Sequence, residues 1–171
     1  MRALTFGLGG GGVVVALMAL VYFQSPSTFL SPVFQWSLVI VYLVAMVGVL
    51  LRRPPYKRLE AIRAAVVVYM LVSASYYVYT YALYEVFDPT LYELQSELMI
   101  ENAQRFQTGT PGRAAEAPEV VYAPERLRYT LGGIAYNYVF GLLSGVAVAF
   151  LLGNLLGVKS DDAATSDTVG A

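Results

Sequence analysis

Cysteine and histidine are both missing from this chain of 171 residues. Their absence excludes disulfides, thiol nucleophiles, haem ligation by His or Cys, and the ordinary zinc sites. Without histidine the chain also lacks the side chain that most often moves protons near neutral pH. Charge is scarce: Asp, Glu, Lys and Arg make up 13% of the residues, roughly half the share found in a soluble domain. A net charge of −1 offers no basis for a nucleic-acid partner. Tryptophan occurs once, at Trp36.

What is abundant is apolar, at 57% of the residues. The few charges gather between four uncharged blocks, over residues 3–23, 33–51, 64–84 and 129–158. A hydrocarbon core of about 30 Å needs roughly 20 helical residues, which each block supplies. The reading is an all-α polytopic membrane protein with four transmembrane helices in one domain over 1–158, and the lipid bilayer as its surroundings. The extracytoplasmic segment is 85–128, and a disordered cytoplasmic tail runs over 159–171. The first block follows Arg2. Its charged region is a single residue and no small-x-small site precedes Gln24, so an uncleaved span is expected. The glycines at 9–12 predict a frayed or closely packed helix start. Gln24 to Pro32 reads as a short loop. The fourth block has 30 residues, more than one crossing needs, so it is expected to tilt or project into water.

Within the extracytoplasmic segment, Asp88-Pro89 is a helix start, with aspartate as cap and proline at the first helical position. From there to about Phe106 the pattern is amphipathic. Leu91, Leu94 and Leu98 share the inward side and Glu93, Glu97 and Glu101 the outer one. That acidic stripe reads as a solvated face, because divalent cations need oxygens converging from several directions. Gln107 to Pro118 reads as a loop.

Orientation follows from Arg52, Arg53, Lys57, Arg58 and Arg63, which crowd the turn between the second and third spans. The region between the third and fourth spans carries four arginines against eight acids. The positive-inside rule makes the basic turn cytoplasmic and, by alternation, both termini cytoplasmic. Arg2 and Lys159 agree, whereas Arg126 and Arg128 oppose.

The most regular motif lies in the last span. Gly133, Asn137, Gly141, Gly145, Ala149, Gly153 and Gly157 are spaced by four throughout. Small residues at that spacing form a groove in which another helix backbone approaches closely. Either a neighbouring helix of the same bundle or a partner chain can fill it. Asn137 is expected to hydrogen-bond across a helix interface. In the third span Tyr69, Ser73, Tyr76 and Thr80 share one side, a surface suited to packing or to a quinone or lipid headgroup, while Tyr81 and Tyr84 suit the outer interface. No Asp, Glu, Lys or Arg lies inside a span away from its ends, where coupled pumps place such groups. No catalytic residue, metal ligand or cofactor is assigned.

The layout resembles the domain-of-unknown-function 4199 family, small four-span proteins found mainly in Bacteroidota. The stretches that carry the resemblance are Arg52 to Arg63, Tyr84 to Glu101 around Phe87-Asp88-Pro89, and Gly132 to Gly145. Members have glycines early in the third span, where this chain has Arg63-Ala64-Ala65. The resemblance implies the four-span architecture and bacterial inner-membrane placement, and no functional residues. The expected function is that of a non-catalytic component, either self-associating as a homo-oligomer or an accessory subunit of a membrane complex. The alternative is a small oligomeric transporter or channel. A pore needs polar residues on a continuous face of several spans; an accessory subunit turns an apolar, small-residue face outward.

Overall fold

The computed structural model describes residues 1–51, 56–107 and 131–157. Arg52 and Arg53, all of the loop expected over Gln107 to Pro118 except the helical Gln107, Arg126 and Arg128, Lys159 and the tail lie outside them. Every regular element among the described residues is helical. Four helices are long and apolar enough to cross a membrane: Arg2–Gln24, Pro32–Leu50, Arg58–Phe87 and Gly132–Leu156.

α1 (Arg2–Gln24) runs unbroken through its glycines. Their helical cost is offset by close packing. A Cβ on Gly7 would lie 2.8 Å from that of Leu71, and one on Gly11 would lie 2.9 Å from that of Ser75. The segment expected as a loop instead contains α2, a single turn over Pro26–Phe29. Ser25 Oγ accepts from the Thr28 N–H at 3.3 Å, and Pro26 occupies the first helical position, where its missing N–H costs nothing. The same device starts α3 (Pro32–Leu50), where Ser31 Oγ accepts from the Phe34 N–H at 3.3 Å.

α4 (Arg58–Ala82) begins six residues before the third apolar block, so Arg58 and Arg63 stand on its first two turns. The Lys57 N–H donates to Glu60 Oε2 at 3.4 Å, satisfying one of the free donors there. α4 continues into a π-helical turn over Leu83–Phe87. The Asp88 N–H donates to the Leu83 carbonyl at 2.8 Å, a five-residue step. Pro89 disfavours helical backbone at Asp88, which sits at φ −147° and ψ 80°. α5 (Leu91–Gln107) follows and α6 (Leu131–Leu156) is the last span.

α4 is the central helix, packed along α1, α3 and α6, while α3 and α6 barely meet. Val14, Met18, Val49, Ala65, Val68 and Val72 form the buried seam. Leu8, Ile40, Val44, Leu143 and Leu155 stay exposed, as helices require when their surroundings are hydrocarbon. The two ends differ in charge. Arg2, Lys57, Arg58 and Arg63 are exposed at one, and Glu93, Glu97 and Glu101 at the other. At that acidic end α5 packs on α2, with Leu91, Tyr92 and Ser96 buried and Leu94 and Leu98 half-buried. Tyr84, expected at the lipid interface, is buried instead, its ring 5.0 Å from that of Tyr92. The folding back of α5 covers it.

Candidate functional site

The small-residue ladder of α6 faces α4 over part of its length. Gly145, Ala149 and Gly153 are buried, and Gly133 and Gly141 half-buried. A Cβ on Gly145 would enter the Tyr69 ring. One on Gly153 would lie 2.9 and 3.0 Å from the backbone N and Cα of Ile62, and one on Gly157 2.8 Å from the Arg58 Cα. At Gly141 the approach is looser, 3.5 Å from Tyr69 Oη.

Asn137 departs from the expectation. Its side chain is exposed, and its backbone carbonyl makes the interhelical contact, accepting from Tyr77 Oη at 3.3 Å. The cause is helical geometry. Each four-residue step overshoots a full turn by about 40°, so Asn137 is rotated about 80° from Gly145. Two further tyrosines join the helices through backbone carbonyls. Tyr69 Oη donates to the Gly141 carbonyl at 2.8 Å, and Tyr138 Oη to that of Met70 at 3.1 Å.

Between α3, α4 and α6, whose weak α3–α6 contact leaves a gap, lies an apolar groove of about 510 Å³. Trp36, Leu38, Val39, Leu43, Met46 and Val148 supply much of its wall. Beside it, toward the acidic end, lies a smaller chamber of about 180 Å³, lined by Phe29, Leu30, Thr80, Tyr84 and Gln95 among others. Gln35 and Tyr76 stand in both walls. Tyr76 Oη donates to Gln35 Oε1 at 2.9 Å, and Gln35 Nε2 donates to the Phe29 carbonyl at 2.9 Å. Thr80 Oγ1 donates to the Tyr76 carbonyl at 2.9 Å. Gln95 Oε1 is buried and has no hydrogen-bond partner among the described residues. Of the third-span set, Tyr69 lines the groove, Thr80 the chamber and Tyr76 both, and Ser73 is buried.

Two carboxylates close the acidic end. Tyr92 Oη donates to Glu85 Oε1 at 2.6 Å, and Tyr22 Oη donates to Asp88 Oδ2 at 2.7 Å. Asp88 Oδ1 also accepts from the Thr90 hydroxyl and, at 3.2 Å, from the Thr90 N–H, so it caps the entry to α5. The Thr90 hydroxyl, then the Tyr22 hydroxyl, hold the Asp88 carboxyl below its ordinary value, against a smaller opposing effect of burial.

Gly7, Gln35 and Gln95 are residues that sequence reasoning passed over, and Gly11 figures there only as part of the run 9–12, whose close packing it shows. The four-residue spacing of Gly7 and Gly11 is the same signal that marks α6. Gln35 is an uncharged polar residue inside an apolar block.

Four apolar crossings, three of them packed around the central α4, make this a polytopic α-helical membrane protein. No protein-family model, curated protein or solved structure matches the chain.

Proposed function

We propose that this protein is a non-catalytic component of a bacterial inner membrane, with both termini cytoplasmic, that works by associating with other helices in the bilayer. It does so as a homo-oligomer, or as an accessory subunit of a membrane complex. Membership of the domain-of-unknown-function 4199 family belongs to the same proposal.

The observation that carries it is the outer face of α1. Gly9 and Gly12 are exposed with no atom within 4 Å of where a Cβ would stand. Beside them runs a second apolar groove of about 490 Å³ between α1 and α3, floored by Gly9, Gly10, Ala45 and Gly48. Helices in hydrocarbon associate through close backbone packing, and small residues turned outward permit it. Gly145 and Gly153 of α6 are covered by α4, whereas α1 turns Gly9 and Gly12 outward beside the groove. A second copy of this chain is the occupant that the test addresses first.

Gly12→Leu tests the reading because its side chain enters open space in the monomer. The expected result is loss of self-association, measured by single-molecule photobleaching or crosslinking in nanodiscs, with thermal stability kept. If wild-type protein is monomeric and co-purifies with no stoichiometric membrane partner, the reading fails.

A further inference from the structure

The chamber and the groove beside it have opposite chemistry and share two wall residues. Gln95 stands in the chamber's wall, and its amide oxygen is buried with no hydrogen-bond partner among the described residues. An acceptor left unmatched out of water carries a desolvation cost that a hydrogen-bond donor removes. Gln35 Nε2 has a second N–H beyond the one given to Phe29, so the lining offers a donor as well as an acceptor. A hydroxyl group matches both. Among the described residues no Asp, Glu, Lys or Arg lines the chamber, which disfavours a phosphate or ammonium head. Its volume of about 180 Å³ exceeds the cavity of roughly 150 Å³ that accommodates benzene, so a compact head fits. The groove, at about 510 Å³, lies within the range of small-molecule sites, roughly 300–1,000 Å³. Its apolar wall suits a hydrocarbon chain.

We infer that the space between α3, α4 and α6 binds one uncharged membrane amphiphile, with its hydroxyl-bearing head in the chamber against Gln95 Oε1 and its apolar chain along the groove. Gln35 and Tyr76, hydrogen-bonded to each other, mark the junction between head and chain. The site is independent of the α1 face, so either reading can fail alone.

Trp36, the only tryptophan, lines the groove and reports occupancy. The test uses full-length protein in phosphatidylcholine nanodiscs with two brominated quenchers at equal mole fraction. One is the glycerol monoester of dibromostearic acid, and the other is the methyl ester of the same acid, which lacks hydroxyls. The monoester is expected to quench Trp36 at about fivefold lower concentration, the effect of one net hydrogen bond. Gln95→Met, similar in length but lacking the amide, should bring the monoester to the level of the methyl ester. Val39→Phe, which narrows the groove without touching the chamber, should weaken both. It keeps the idea testable if Gln95→Met does not fold. Mass spectrometry of lipid retained through purification separates the two sources of such a head. An acylglycerol or an isoprenoid alcohol held by wild type, and lost in Gln95→Met, supports the site. Equal quenching by the two esters, or retention of bulk phospholipid alone, overturns it.

Discussion

At the residue scale, the question is which single atoms the packing cannot absorb. Gly145 is the clearest case, because any side chain there meets the Tyr69 ring. That ring is held by its bond to the Gly141 carbonyl and cannot swing away without breaking it. Gly145→Leu is therefore expected to destabilise by about 1–3 kcal/mol or more, read by thermal unfolding in mild detergent. Leu143→Ala, on an exposed position of the same helix, should stay within about 0.5 kcal/mol. Equal effects of the two would show that α6 does not dock on α4 through this face. Asp88 gives a pH-dependent counterpart. Its folded carboxyl titrates lower than in the unfolded chain, so its contribution is present above the ordinary carboxylate value and lost as pH falls through the depressed one. Asp88→Asn keeps an acceptor but cannot titrate. The stability gap between wild type and Asp88→Asn should be constant near neutrality and shrink below about pH 4. A gap that widens on acidification would contradict the assigned hydrogen bonds.

At the scale of elements, α1 and α6 use the same physics on opposite sides of α4. Gly7 and Gly11 bring α1 against Leu71 and Ser75, and Gly153 brings α6 against the Ile62 backbone. Removing either close approach should loosen a helix rather than unfold a soluble-type core. Gly11→Leu is expected to cost about 1–3 kcal/mol, and Gly12→Leu, one residue on and facing open space, little. Protease protection of α1 in detergent distinguishes them: Gly11→Leu should expose it, Gly12→Leu should not. α5 belongs to this scale too. It is held by Leu91 and Tyr92 inside and by the Asp88 cap at its entry. Asp88→Ala should cost about 1 kcal/mol, and amides of α5 should exchange faster before those of α4 do.

At the scale of the whole molecule, the two ends of the bundle differ in charge and in construction. Among the described residues the basic end consists of helix termini. The acidic end is built up by α2, the π-helical turn and α5 around the chamber. Because the chain has no native cysteine, single-cysteine variants report orientation without background. Under the proposed orientation, cysteine replacing Lys57 should be protected from an impermeant thiol reagent in intact cells. Cysteine replacing Glu97, exposed on α5, should be labelled. The reverse pattern would invert the topology and place the chamber on the cytoplasmic side.

The sequence alone determined the four crossings, the charge difference between the ends and the amphipathic sides of α5. These depend on the composition and period of contiguous residues, which water and hydrocarbon sort without reference to the rest of the chain. The spacing of Gly141, Gly145, Ala149 and Gly153 was equally legible as a close-packing surface, but not its partner. Asn137 shows the limit: it shares the spacing, yet the drift of four-residue steps around a helix turns its side chain outward. The tertiary structure decided that α4 is the centre, that Tyr84 is covered, and that Gln35, Tyr76, Thr80 and Gln95 meet at one chamber. Those residues come from three helices up to 60 positions apart, and nothing local to any of them specifies the others. Their meeting follows from the rotation of α3 and α4 about their axes and from the packing of α5 back on α2, which close contact fixes rather than hydrophobicity, since in lipid every face of a span is apolar enough to be outside.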